Sequence, residues 1–265
     1  MSEELTPTEI ETLRRMDINA LVVDDQEYIR HIVRQFLRTV TNGVVLEAGD
    51  GAEAMAFLEP YHGQIELNWR NEEYSQFVEG GKKIDCIVTD FKMAPMNGLE
   101  MLQKIRSGNS AADPDLPVIM LTGFNDQNVI GAALELDVTA FIVKPVSQSA
   151  LHTRLYRALS KKIAIRPSTH YDAIATDGVS PVSTDGAAGK DAAAGTAAGG
   201  SELSSTTVTL AEVPLGAILV KDIVTLQGSV LIKAGTAVTE DIKDRLGDLA
   251  GHKDVPLEVM VAAGN

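Results

Sequence analysis

INALVVDDQEYIRHIVRQFLRTVTNG, residues 18–43, contains the pattern that decides the fold. Residues 18–23 form an apolar run of strand length. Ile29, Ile32, Val33, Phe36, Leu37 and Val40 then recur at steps of three and four, the mark of a helix with one buried face, and Asn42-Gly43 closes it. Downstream, residues 44–47, 84–89, 117–121 and 139–143 read as further strands. Residues 51–58, 98–106, 126–136 and 147 to about 162 read as helices. Five short apolar strands separated by amphipathic helices predict an α/β fold, a doubly wound five-stranded parallel sheet covered on both faces. In such sheets chemistry collects at the carboxyl ends of the strands.

The rest of the chain surrounds this unit. The chain has 265 residues, 45% apolar and 23% charged, a composition that suits about two compact units and excludes whole-chain disorder or a fibrous protein. Residues 1–17 predict an N-terminal helical extension, because Thr6-Pro7-Thr8-Glu9 has the makings of a capping box with proline in the first turn. Residues 18–165 are the α/β domain, with an insertion at about 61–83 that carries Trp69, Tyr74 and Phe77. Residues 166–207, mostly Ala, Gly, Ser and Thr, predict a flexible linker. Residues 208–265 predict a small β-rich α+β module, with strands at 208–210, 218–222, 230–232 and near 257–261 and a hairpin connection at Leu226-Gln227-Gly228-Ser229. Thr239 would cap a helix whose buried face is Ile242, Leu246 and Leu249. A unit that small is marginal alone and is expected to lean on a partner, a second copy or the first domain.

Charge limits the partners. Against 23 Lys plus Arg stand 37 Asp plus Glu, a net charge of −14, which opposes sequence-independent binding to nucleic acid or to an anionic membrane surface. The last 58 residues hold five basic and eight acidic side chains and no second helix for a helix-turn-helix, so a DNA-binding output is not expected. No run of eighteen apolar residues exists, the start of the chain has no signal-peptide character, and the single Cys86 has no disulfide partner. A cytoplasmic protein without a membrane span is expected.

The strand ends carry the chemistry. Asp24 and Asp25 follow the first strand, Asp90 the third, Thr122 the fourth and Lys144 the fifth. Three crowded carboxylates call for a hard divalent cation, and Mg²⁺ suits a set of oxygen ligands that keeps several waters. With charge drawn off by a metal and by Lys144, one carboxylate can attack a phosphoryl group in line and become an acyl phosphate. Asp90, alone on the central strand, is the candidate.

LVVDD (21–25), IVTDFKMAPMNGLE (87–100), VIMLTG (118–123) and FIVKP (141–145) resemble, in order, the motifs of the receiver domain of bacterial two-component response regulators of the chemotaxis type. The resemblance covers just over half the chain and implies the flavodoxin-like receiver fold. It also implies a phosphoprotein without enzymatic turnover beyond its own phosphorylation and dephosphorylation. By it, Asp24, Asp25, Asp90 and the backbone carbonyl of Lys92 hold Mg²⁺. Asp90 receives the phosphoryl group from a histidine kinase or histidine phosphotransfer protein, while Thr122 and Lys144 bind the phosphate. Phe141 is the switch aromatic, and the Lys144-Pro145 peptide is cis. Output would pass to a protein target, with homodimerisation a family-level option. The alternative is a phosphotransfer intermediate or phosphate sink with no dedicated output. The sequence departs from the family where Ala94 stands in place of a proline and Pro95 follows. Phe124, two residues after Thr122, predicts shielding of the phosphoryl group and slow autodephosphorylation.

Each of these residues has a plainer explanation when met alone. Asp25 or Thr122 would cap a helix, Lys144 would be a solvated charge, and Cys86 would be a core thiol. It is their joint placement that favours the reactive reading. The five histidines show no metal spacing, and no P-loop is present. The segment 214–246 resembles, weakly, a β-rich element found beside phosphodiesterase-type HD output domains. The catalytic His-Asp residues of those enzymes are missing, so no such activity is expected.

Overall fold

A computed structural model describes residues 4–59, 77, 80–123, 127–176, 205–209, 213–224, 230–249 and 258–262. Five parallel strands, β1 (Ala20–Val23), β2 (Val45–Ala48), β3 (Cys86–Asp90), β4 (Val118–Thr122) and β5 (Ala140–Val143), lie in the order β2-β1-β3-β4-β5. The chain reverses direction across the sheet after β2, so the ends of β1 and β3 are neighbours at the switch point where such folds place their sites. The register pairs Val23 with Thr89, Asp90 with Leu121, and Thr122 with Val143, which brings the carboxyl ends level.

Alternation along the strands sorts the core into two layers. Ala20, Val22, Cys86, Val88, Ile119, Leu121, Ala140 and Ile142 face one way and pack with Leu13 of α1 (Pro7–Arg15), Val33 and Leu37 of α2 (Glu27–Arg38) and Leu151 and Leu155 of α6 (Gln148–Ser160). Leu21, Val23, Ile87, Met120 and Phe141 face the other side, toward α3 (Gly51–Leu58), α4 (Gly98–Arg106) and α5 (Gln127–Glu135). Helix α1 starts with the reciprocal cap: Glu9 N–H donates to Thr6 Oγ1 at 3.3 Å and Thr6 N–H to Glu9 Oε2 at 2.8 Å. With Leu13 fully buried, the N-terminal extension belongs to the core.

The expected linker 166–207 differs from what the chain does at both ends. Residues 166–176 pack on the α/β domain and include α7 (Ser168–Asp172). Tyr171 is fully buried and donates its hydroxyl to Asp137 Oδ2 at 3.0 Å, and Gln103 Nε2 donates to the carbonyls of Tyr171 and Ile174. A single large aromatic supplies the apolar area that averaged composition hid beneath the Ala and Gly residues that follow. At the other end β6 (Ser205–Thr209) already pairs antiparallel with β9 (Glu258–Ala262).

The C-terminal region holds a second two-stranded sheet, β7 (Ile223–Val224) with β8 (Val230–Ile232), and one helix, α8 (Glu240–Asp248). Thr239 Oγ1 caps α8, accepting from Ile242 N–H at 3.3 Å. The strand expected at 218–222 is absent as a ladder. Ile218 bridges to Ala237 and Leu219 to Val261, so two adjacent residues pair with different segments and no strand propagates. The hairpin residues 226–229 lie outside the described residues, as does all of the 61–83 insertion except Phe77 and residues 80–83. Val213, Leu219, Ile223, Leu231, Leu246 and Val261 join the same apolar cluster as Val129, Ile130 and Ala133 of α5, so the C-terminal region shares a core with the α/β domain.

Candidate functional site: an acidic centre at the strand ends

The residues expected at the strand ends converge. Asp24, Asp25 and Asp90 each present a carboxylate oxygen, and these lie within 4.8 Å of one another. Asp24 is fully buried and well held: Oδ1 accepts from Gln26 N–H at 2.8 Å and Oδ2 from Lys144 Nζ at 2.9 Å, while its backbone carbonyl accepts from Arg30 Nη1 at 2.7 Å. Neither aspartate caps α2, whose N-cap Gln26 has no side-chain cap bond, and Asp25 is exposed. Asp90 is 5% exposed, and Lys144 Nζ stands 3.2 Å from its Oδ1.

Electrostatics follow from this crowding. Burial pushes the Asp90 carboxyl up to about 6, the Asp24 carboxylate adds to the rise, and Lys144 opposes it. For Lys144, burial works against the charge, but bonds to Asp24 and attraction from Asp90 outweigh it and hold the ammonium above its ordinary value. The set is oxygen-only, partly reachable through Asp25 and overloaded with negative charge, which fits a hard divalent cation of the Mg²⁺ type.

Thr122, at the end of β4, is buried, and its hydroxyl donates to Gly123 carbonyl at 3.3 Å. Lys144 N–H donates to Thr122 carbonyl at 2.7 Å, which ties the two strand ends together. Lys92 holds its ammonium 5.1 Å over the Phe91 ring. Phe141 is buried in the cluster shared with α5 and the C-terminal region. The peptides Lys144–Pro145 and Ala94–Pro95 are both cis. Gly98 N–H donates to Phe91 carbonyl at 3.0 Å and closes the loop after Asp90. Cys86 is a buried core thiol whose ionisation burial pushes far up. Phe124 lies outside the described residues.

Sequence reasoning missed the charged groups away from this rim. Asp137 is buried and accepts from Arg166 (2.9 and 2.7 Å) and Tyr171; Arg245 stands 3.3 Å from it. Burial raises its carboxyl, but the two guanidiniums and the hydroxyl together bring it below its ordinary value. Asp248 is buried against Arg154 and Arg157. A signal existed: Arg245 and Asp248 continue at steps of three from Ile242 and flank the apolar stripe of the predicted helix.

A doubly wound five-stranded parallel sheet with three carboxylates, a hydroxyl and a lysine at one rim defines a receiver-type domain. The profile of the response regulator receiver domain matches residues 71–156. The chain is 31% identical over 135 residues to a chemotaxis protein CheY homolog of Campylobacter jejuni, covering 51% of this chain and 87% of that protein. It is 29% identical to chemotaxis protein CheY1 of Helicobacter pylori over 51% of this chain and 91% of that one. A third relative, the cyclic di-GMP phosphodiesterase response regulator RpfG of Xanthomonas campestris, is 26% identical over 52% of this chain but only 31% of its own length. Among solved structures, chemotaxis response regulator CheY4 of Vibrio cholerae aligns at 24% identity and TM-score 0.39 over 54% of this chain and 98% of its own. The chain belongs to the receiver-domain family of two-component response regulators. Among the described residues no helix is long and apolar enough to cross a membrane.

Proposed function

We propose that Asp90 is the phosphoacceptor of a phosphorelay and that the protein signals through protein–protein contacts. The observation that carries this is the gathering of Asp24, Asp25, Asp90 and Lys144 at one rim. The donor is a histidine kinase or histidine phosphotransfer protein. An Asp90 carboxylate oxygen attacks phosphorus in line, the N–P bond of the phosphohistidine breaks, and the imidazole leaves with a proton from solvent. Asp24, Asp25, Asp90 and the Lys92 carbonyl would hold Mg²⁺, which would neutralise charge on the phosphoryl oxygens when bound. Lys144 pairs with the phosphoryl group. The Thr122 hydroxyl, now on Gly123 carbonyl, turns to donate to it, and Phe141 reports the change on β5. Water attack on the acyl phosphate returns Asp90 and inorganic phosphate.

A phosphate sink is the competing reading. The C-terminal region, which shares the receiver's core through α5, supports an output instead, since a sink has no use for such an attachment. Phosphoryl labelling with a small phosphodonor tests the acceptor. Label is expected on wild type with Mg²⁺ and on neither metal-free protein nor Asp90→Asn. Label retained by Asp90→Asn at the wild-type level refutes the assignment.

A further inference from the structure

The C-terminal region lies on the receiver along β5, α5 and α6, and a buried carboxylate anchors it. Asp248, at the end of α8, has a side chain 1% exposed. Its Oδ1 meets Arg154 Nε at 2.5 Å and the Arg157 guanidinium, and its Oδ2 accepts the backbone N–H of Phe141 at 3.1 Å. Strand β5 is the last in the sheet, so the carboxylate caps an edge donor that no neighbouring strand takes. Arg154 Nε also donates to Phe141 carbonyl at 3.3 Å, so both polar backbone atoms of Phe141 are engaged from this side. Around this centre Lys161 pairs with Asp244 at 2.7 Å, and Arg245 with Asp137 at 3.3 Å. On α5 the carbonyl of Val230 comes so near that a Cβ at Gly131 would stand 2.6 Å from it.

We propose that the C-terminal module is a cap: docked through Asp248, it covers the face made by β5, α5 and α6, and phosphorylation of Asp90 favours its release, exposing that face to a protein partner. The inference rests on the phosphoacceptor reading of Asp90. The docked geometry matches one arrangement of β5, the one in which the Thr122 hydroxyl faces Gly123 and Lys144 spans Asp24 and Asp90. A phosphoryl group on Asp90 draws Thr122 and Lys144 toward itself. Lys144 continues β5 directly, and its N–H holds Thr122 carbonyl, so the pull is delivered to the strand whose Phe141 N–H seats Asp248. A buried carboxylate tolerates little displacement from its donors, because an ion pair out of water is costly once partly broken. The 28 residues between Thr176 and Ser205 span at most ~100 Å when extended, so release requires no break in the chain. Tethering raises the local concentration of the module, so it re-docks when the phosphoryl group is lost.

The test uses the full chain, small-angle scattering for dimensions, and calorimetric titration with beryllofluoride and Mg²⁺ as a non-covalent phosphoryl analogue. Wild type is expected to be compact alone and expanded when saturated. Asp248→Ala and Gly131→Ala are expected to be expanded without analogue and, because coupling is reciprocal, to bind it about five- to thirty-fold more tightly. Gly131→Ala guards against a mere folding defect, since alanine improves the helix it sits in and acts only on the contact with Val230. Variants that stay compact with unchanged affinity, or a saturated wild type of unchanged dimensions, overturn the proposal. A wild type that does not bind the analogue refutes the acceptor reading and the coupling with it. The dimensions of Asp248→Ala without analogue then report on the anchor separately.

Discussion

Replacing Asp90 by asparagine should stabilise the metal-free protein, and the structure sets the size of the effect. The Asp90 carboxyl is raised from 3.8 to about 6, chiefly by burial. A native group that binds its proton more tightly than the unfolded chain adds stability as pH falls from about 6 toward 3.8, and above that window its charge is a cost. About two units at 1.36 kcal/mol each put that cost near 3 kcal/mol at pH 7.5 as an upper figure. Asp90→Asn removes the charge and keeps the shape. Urea unfolding followed by circular dichroism in EDTA should therefore place the variant roughly 1–3 kcal/mol above wild type at pH 7.5. The difference should shrink as pH is lowered through 6 to 4. Using the difference cancels the other titrating groups common to both proteins. Mg²⁺ at ten times its dissociation constant should restore ~1.4 kcal/mol to wild type by mass action and little to the variant. A variant less stable than wild type at pH 7.5, or a difference that is flat between pH 4 and 7, refutes the reasoning that the buried Asp90 charge costs stability.

Further outcomes follow from the contacts described above and, for Phe124, from its place in the sequence. Lys144→Met removes the cation spanning Asp24 and Asp90, so isothermal titration should show Mg²⁺ binding several-fold more tightly while the phosphoryl analogue binds more weakly. Asp137→Asn keeps a residue that tolerates the left-handed backbone there but leaves Arg245 without its buried partner, and should cost about 3 kcal/mol in urea unfolding. Because the folded Asp137 carboxyl is held low, its contribution is complete above roughly pH 4 and lost as acid is added below that, so the variant should lack this part of the acid limb. Thr239→Ala should weaken α8 by about 1 kcal/mol, seen as faster amide exchange at the start of that helix. Phe124→Ala should shorten the phosphoryl lifetime, measured by loss of label after the donor is removed; an unchanged lifetime removes the shielding role.

Periodicity and strand-end chemistry, read along the sequence, predicted the α/β class, the five strands, the helices between them and the convergence of Asp24, Asp25, Asp90, Thr122 and Lys144. Each of these is a local property. Apolar spacing reports which face a helix or strand buries, and a parallel sheet sends every strand end to the same rim. Two caps, at Thr6 and Thr239, were legible for the same reason, since a cap spans only four residues. Only the tertiary structure decided the rest. Tyr171 turned the first quarter of an apparent linker into packed structure, because burial of one aromatic depends on a cavity made by distant residues such as Gln103 and Asp137. The seat of the C-terminal region depended on Asp248 meeting Arg154, Arg157 and Phe141 across about a hundred residues. No spacing along the chain encodes that pairing, because a buried charge is stable only where its partners happen to be delivered by other elements.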